Sequence, residues 1–271
     1  MKTKILSLSA LFLTLAATAL RTVCLLMQYD PSLGYLQRGI LPTIATTLTT
    51  AGTLFCFFCG LAFPRAHSNK DTLPTVAKQR AWAILYTLSA AACFFGGVYL
   101  LTDPSGDSLL FYKVTGILAL LLATFFLIGC SGDQTKSASA SAALLPWLPF
   151  SGILMLLLLA GFSYFDQTVT INGPLTVPMI FAALFGCLFL LTEVRIRAAE
   201  RKTAVQMSLT LIAFFLCTTV GISNLVYCLI GDTARGISIS QPARPILLLA
   251  ISFAAAARLF CHTPTTTLEE I

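Results

Sequence analysis

The residues able to do chemistry in this chain are few, and most of them lie inside apolar runs. Arg21 interrupts the run Leu15–Met27, and the polar segment Cys217-Thr218-Thr219-Val220-Gly221-Ile222-Ser223-Asn224 falls near the end of another. Read as helices, Arg21 and Asn224 both sit six or seven residues before the end of their runs, which is roughly 10 Å at 1.5 Å per residue. No acid is expected at that depth, so a buried guanidinium there needs amide, hydroxyl or carbonyl acceptors. An Arg and an Asn facing one cavity can bind a carboxylate or another polar group. Arg21, Thr219, Ser223 and Asn224 are therefore the candidate ligand site. The plainer alternative is that these groups satisfy one another between packed helices, where polar side chains are common.

Other chemistry finds less support. Cys56-Phe-Phe-Cys59 is formally a CxxC pair, but it stands mid-run between phenylalanines. It reads as small polarizable packing and not as a redox or metal centre, which would need access and further ligands. The nine cysteines fall in or at the ends of apolar runs and give no disulfide framework. Ser223 and His262 lie at opposite ends of their runs, too far apart for a nucleophile and its base. No P-loop, dinucleotide glycine motif or HExxH is present. No catalytic residue, metal or cofactor is expected. Glu193 with Arg197, and Arg258 with His262, are spaced i,i+4 at run ends and read as helix-surface interface anchors.

The elements that must position these residues follow from composition. The chain has 271 residues, 57% hydrophobic and 10% charged, with a mean hydropathy of +0.86. That is too little charge for a water-facing surface. Apolar runs long enough to cross a bilayer recur throughout, near 4–28, 40–63, 81–101, 110–130, 143–164, 177–195, 204–230 and 246–262. They are apolar on every face, which excludes alternating barrel strands. The expected fold is an all-α polytopic integral membrane bundle of eight helices, with the whole chain, 1–271, as one membrane domain. The seventh run is long, so it must tilt, kink or protrude, and its Gly, Ser and Thr suit a kink.

With the N-terminus inside, twelve of the seventeen Lys and Arg fall on the inner side, and Arg21, Arg38, Lys113, Arg235 and Arg244 on the outer. This is the positive-inside pattern, and it places both termini in the cytoplasm of a cell-membrane protein. Trp82 and Trp147 at inner ends, and Tyr29, Tyr99, Tyr112, Tyr164 and Tyr227 at outer ends, fit headgroup levels. The net charge of +6 then points to anionic lipid headgroups at the inner basic loops, not to nucleic acid. Lys2, Lys4 and Ala17-Thr18-Ala19 also fit a cleavable signal peptide, but the apolar run that resumes after Arg21 favours a retained span.

The loops are short. Ser131–Ala142 reads as a flexible inner connection between sets of four spans, 1–131 and 143–271. Acids open the outer hairpins at Asp30, Asp103, Asp166 and Asp232, a spacing that fits a parallel duplication. Asp's own habit of starting turns gives the same spacing without one. Tyr29-Asp30-Pro31-Ser32-Leu33-Gly34-Tyr35 combines an acid, a fixed-φ Pro and a Gly suited to positive φ, so a compact hairpin is expected. Tyr29, Asp30 and Tyr35 are candidates for an outer contact surface. This YDPxxGY element, after a span with an internal Arg, resembles a group of uncharacterised polytopic bacterial membrane proteins. The resemblance covers only the N-terminal part of the chain and implies a multi-span fold without an activity. Two function classes are expected. The leading one is a small-molecule permease; the other is a non-transport sensor, assembly factor or partner subunit of a membrane complex. A wide polar cavity would favour the first, and a lateral apolar groove the second.

Overall fold

A backbone surrounded by lipid has to satisfy its own hydrogen bonds, and an uninterrupted apolar run does so as a helix. The computed structural model of the chain describes residues 2–62, 76–102, 109–130, 147–165, 173–199, 204–231 and 241–261. They form α1 (Lys2–Gln28), α2 (Ile40–Ala62), α3 (Val76–Thr102), α4 (Leu109–Cys130), α5 (Leu148–Phe165), α6 (Thr176–Ala199), α7 (Ala204–Val226) and α8 (Ala243–Cys261). Two-residue strands, β1 (Tyr29–Asp30) and β2 (Tyr35–Leu36), join α1 to α2. Among the described residues eight helices are long and apolar enough to cross a membrane, and the chain is an all-α, multi-pass helical bundle. His67, Asp103, Ser131–Ala142, Asp166, Asp232 and His262 lie outside the described residues.

The core is built on the last two helices. In the seventh and eighth spans 72% of the residues are buried, against 22% in the second, so α7 and α8 are central and α2 is peripheral. α8 packs between α3 and α7, and α7 also meets α1, α2 and α6. The helices α3 to α6 pack in sequence order. The two sets of four spans thus interleave as one body, because α7 is shared by helices of both.

Two departures from the sequence reading follow from local chemistry. α7 stays α-helical through the expected kink, and its irregularity is a π-turn one turn later, Tyr227–Gly231. The hydroxyls of Thr218 and Ser223 bond back to Phe214 and Thr219 carbonyls at 2.5 and 2.6 Å, inside an unbroken helix. α8 begins at Ala243, earlier than expected, because Pro242 can stand where an unpaired N–H is of no use. Arg244 is thereby drawn into the helix and buried, donating to the Tyr112 hydroxyl at 3.2 Å.

α2 meets α7 along a stripe of small residues at i,i+4 spacing, Gly52, Cys56 and Gly60, all buried. A Cβ at Gly60 would lie 2.2 Å from the Ser208 Cα and 2.4 Å from its N. Only a bare backbone permits this approach. Ser208 Oγ completes it by donating to the Phe57 carbonyl at 3.1 Å. Cys56 is a member of this seam, and both cysteines of the pair are free thiols.

Candidate functional site

The end of the bundle where α1 passes into α2 is organised by Asp30. Its Oδ1 accepts from the Ser32 N at 2.9 Å and from the Ser32 Oγ at 2.6 Å. Its carbonyl accepts from the Gly34 N at 2.8 Å. Gly34 takes φ 70°, a region that costs a residue with a Cβ roughly 1–2 kcal/mol. The strands pair Tyr29 with Leu36 and Asp30 with Tyr35. The compact turn read from the sequence is present. Tyr35 is half-exposed on it, but Tyr29 is not a surface residue. Its ring is buried edge-on against Tyr227 at 5.2 Å and 85°, because α1 delivers it beside the π-turn. Leu25 and Leu175 close this small cluster.

Just beneath the hairpin, Arg21 points into the bundle with 8% of its surface exposed. Nε donates to Ser223 Oγ at 3.0 Å. Nη2 donates to the Pro174 carbonyl at 2.6 Å and to Asn224 Oδ1 at 3.3 Å. Ser223 Oγ donates in turn to the Thr219 carbonyl, and Asn224 Nδ2 donates to the Leu175 carbonyl at 3.5 Å. A hydroxyl, an amide and a carbonyl thus receive the guanidinium, and among the described residues no carboxylate contacts it. Nη1 makes no hydrogen bond among the described residues. Thr219 departs from expectation. It does not accept from Arg21, and its buried Oγ1 makes no hydrogen bond among the described residues.

Arg21 stands at the head of a cavity of about 630 Å³. Thr46, Thr49, Thr50, Thr53 and Leu54 of α2 form one wall, and Val177, Pro178, Phe181 and Phe185 of α6 the other. Leu216 of α7 is at the back, and Tyr35, Leu36, Gly173 and Pro174 cover the end under the hairpin. The volume is that of a site for one drug-sized ligand. Ser223 and Asn224 stand behind Arg21 and do not line it.

Sequence reasoning missed a second charged centre at the opposite end. Glu193 of α6 does not lie on the helix surface as an interface anchor. It is 2% exposed and forms an ion pair with Arg258 of α8. The Arg258 guanidinium stands 4.9 Å over the Trp82 ring. Trp82 stacks on Tyr86 at 4.4 Å and donates to the Gly129 carbonyl at 3.1 Å. The interface-anchor reading fails for Arg258 for the same reason, since this pair and its aromatic walls hold it inside the bundle. The i,i+4 pattern suggested Arg197 as a local partner for Glu193; the Arg197 side chain lies outside the described residues, and the described partner arrives through the packing of α6 against α8. Among the described residues no group of three metal-ligating side chains converges.

Comparison with protein-family models, curated proteins and solved structures returns no match, so the site's own geometry carries its functional reading.

Proposed function

We propose that the protein is a ligand-binding membrane protein of the non-transport class, a sensor or partner subunit, whose ligand docks an anionic group on Arg21. Its hairpin end faces the outside and both termini the cytoplasm. One observation carries the reading. A guanidinium is held by three acceptors in a fixed pose, with Nη1 unspent among the described residues, at the head of a ligand-sized cavity. Ionisable residues within spans are costly and usually functional. The cavity is a lateral recess backed by α7 rather than a wide polar passage, which supports binding over translocation.

The test is the thermal stability of the purified full-length protein in detergent, titrated with benzoate, hexyl phosphate and palmitate. Binding to the native state alone raises stability with ligand concentration. At least one anion should raise the melting temperature of the wild type and not of Arg21→Ala. If none does, the reading is wrong.

A permease for small anions is the second reading, and the π-turn Tyr227–Gly231 beside the site favours it, since π-turns often mark functional sites in helices. Arg21-dependent uptake of radiolabelled benzoate into proteoliposomes would select this reading over the first.

A further inference from the structure

The chemistry of the walls narrows the ligand. Four threonines of α2 face the cavity, yet each hydroxyl donates to its own helix: Thr46 to Pro42 at 2.8 Å, Thr49 to Ala45 at 2.8 Å, Thr50 to Thr46 at 3.0 Å and Thr53 to Thr49 at 2.8 Å. With their protons spent, they leave the wall largely aliphatic. Leu54 on the same wall and Phe181 and Phe185 opposite are apolar. The hydroxyls are left as acceptors, so an anion would lose its hydration here and find its donors at Arg21.

The opening is lateral. Thr46, Thr50 and Leu54 on one lip and Phe181 on the other are all exposed. They lie within helices apolar enough to span a membrane. In a bilayer this mouth therefore meets acyl chains, while Tyr35, Leu36 and Pro174 cover the end beneath the hairpin. Among the described residues the one charged group lining the cavity is a single cation, Arg21. A single charge against a low-dielectric wall favours a monoanion, because a second negative charge would be buried without a partner.

We infer that the cavity holds a single-chain amphiphile with a monoanionic head, a long-chain carboxylate being the simplest member, which enters from the lipid between α2 and α6. Its head meets Arg21 Nη1 under the hairpin, and its chain lies along the threonine wall toward Leu54 and Phe185. This inference rests on the anion-binding reading above and adds the ligand class and the route of entry.

The experiment is photolabelling of the full-length protein in phosphatidylcholine proteoliposomes with a diazirine-bearing palmitate analogue, read by peptide mapping. Label is expected on Thr46–Leu54 and Val177–Phe185, displaced by excess palmitate but not by hexadecanol, which lacks the charge. Arg21→Ala should lower this label by about tenfold or more, the scale of one lost charge-assisted bond. Thr49→Phe, which fills the recess and leaves Arg21 and its acceptors in place, should abolish the label while circular dichroism and melting stay as in the wild type. Label that hexadecanol displaces equally, or that both variants retain, overturns the inference. If benzoate stabilises the protein through Arg21 while palmitate neither labels nor stabilises it, the amphiphile falls and the anion site stands. If no anion acts through Arg21, both fall.

Discussion

At the scale of single residues the bundle holds its charge in two ways. Arg21 has neutral acceptors and Arg258 has an acid, and the two should respond differently to substitution. A side-chain hydrogen bond between membrane helices is worth about 0.6 kcal/mol on average and up to about 1.7. With three acceptors on one guanidinium, Arg21→Ala should cost about 2 kcal/mol, and Ser223→Ala, which removes one bond, about 0.6 kcal/mol. Reversible unfolding in mixed micelles would check this, and a stabilised Arg21→Ala would mean that desolvation of the charge outweighs its bonds. Breaking a buried ion pair from one side costs about 3–5 kcal/mol because a charge is stranded, whereas replacing both partners by apolar residues is often neutral. Glu193→Gln should therefore unfold earlier than the double variant Glu193→Leu/Arg258→Met. The reverse order would show that the pair is exposed to compensating water. Arg21 was legible in the sequence because counting helical rise matched its depth to that of Asn224, with Thr219 and Ser223 close by on the same span. The Pro174 carbonyl was not, since any residue type can present a backbone oxygen. Nor was the Glu193–Arg258 pair, whose members are 65 positions apart.

At the scale of elements, lipid makes helices easy to foresee and their neighbours hard. Apolar length alone located all eight spans, because a backbone in hydrocarbon has no other satisfied form. Which face meets which is decided by shape, as at Gly52, Cys56 and Gly60, and the sequence marks such a seam only by small residues every fourth position. Gly60 and Gly161 separate the contribution of shape from that of helix propensity. Both are helical, but a Cβ at Gly60 would strike the Ser208 backbone, whereas one at Gly161 meets nothing within 4 Å. Ala is preferred to Gly in a helix by about 0.8–1.0 kcal/mol, so Gly161→Ala should be neutral or stabilising up to that amount. Gly60→Ala forces α2 away from α7, and such overpacking typically costs about 1–3 kcal/mol. It should lower the melting temperature and also weaken ligand binding, because α2 is a wall of the cavity. Equal effects of the two substitutions would mean that α2 is loosely docked.

At the scale of the whole molecule the remaining question is which end faces the cytoplasm, and burial sharpens the charge count that bears on it. The positive-inside rule concerns charges in loops and near span ends, not charges neutralised inside a bundle. Arg21 and Arg244 belong to the hairpin end but are each only 8% exposed and hydrogen-bonded. Removing them from the five cations of that side leaves Arg38, Lys113 and Arg235; removing Arg258, neutralised by its ion pair with Glu193, from the twelve of the other side leaves eleven. The bias thus rises from twelve against five to eleven against three. The Ser32 turn should accordingly be outside and Ser68 inside. Cysteine scanning in intact cells can read this once the half-buried native thiols Cys59, Cys130 and Cys228 are replaced by Ala. An impermeant maleimide should label Ser32→Cys, which lies on an exposed position of the hairpin, without permeabilisation, and Ser68→Cys only after it. The opposite labelling pattern would invert the molecule. It would also place the mouth of the Arg21 cavity in the inner leaflet, where its ligand would have to be drawn from the cytoplasmic lipid pool.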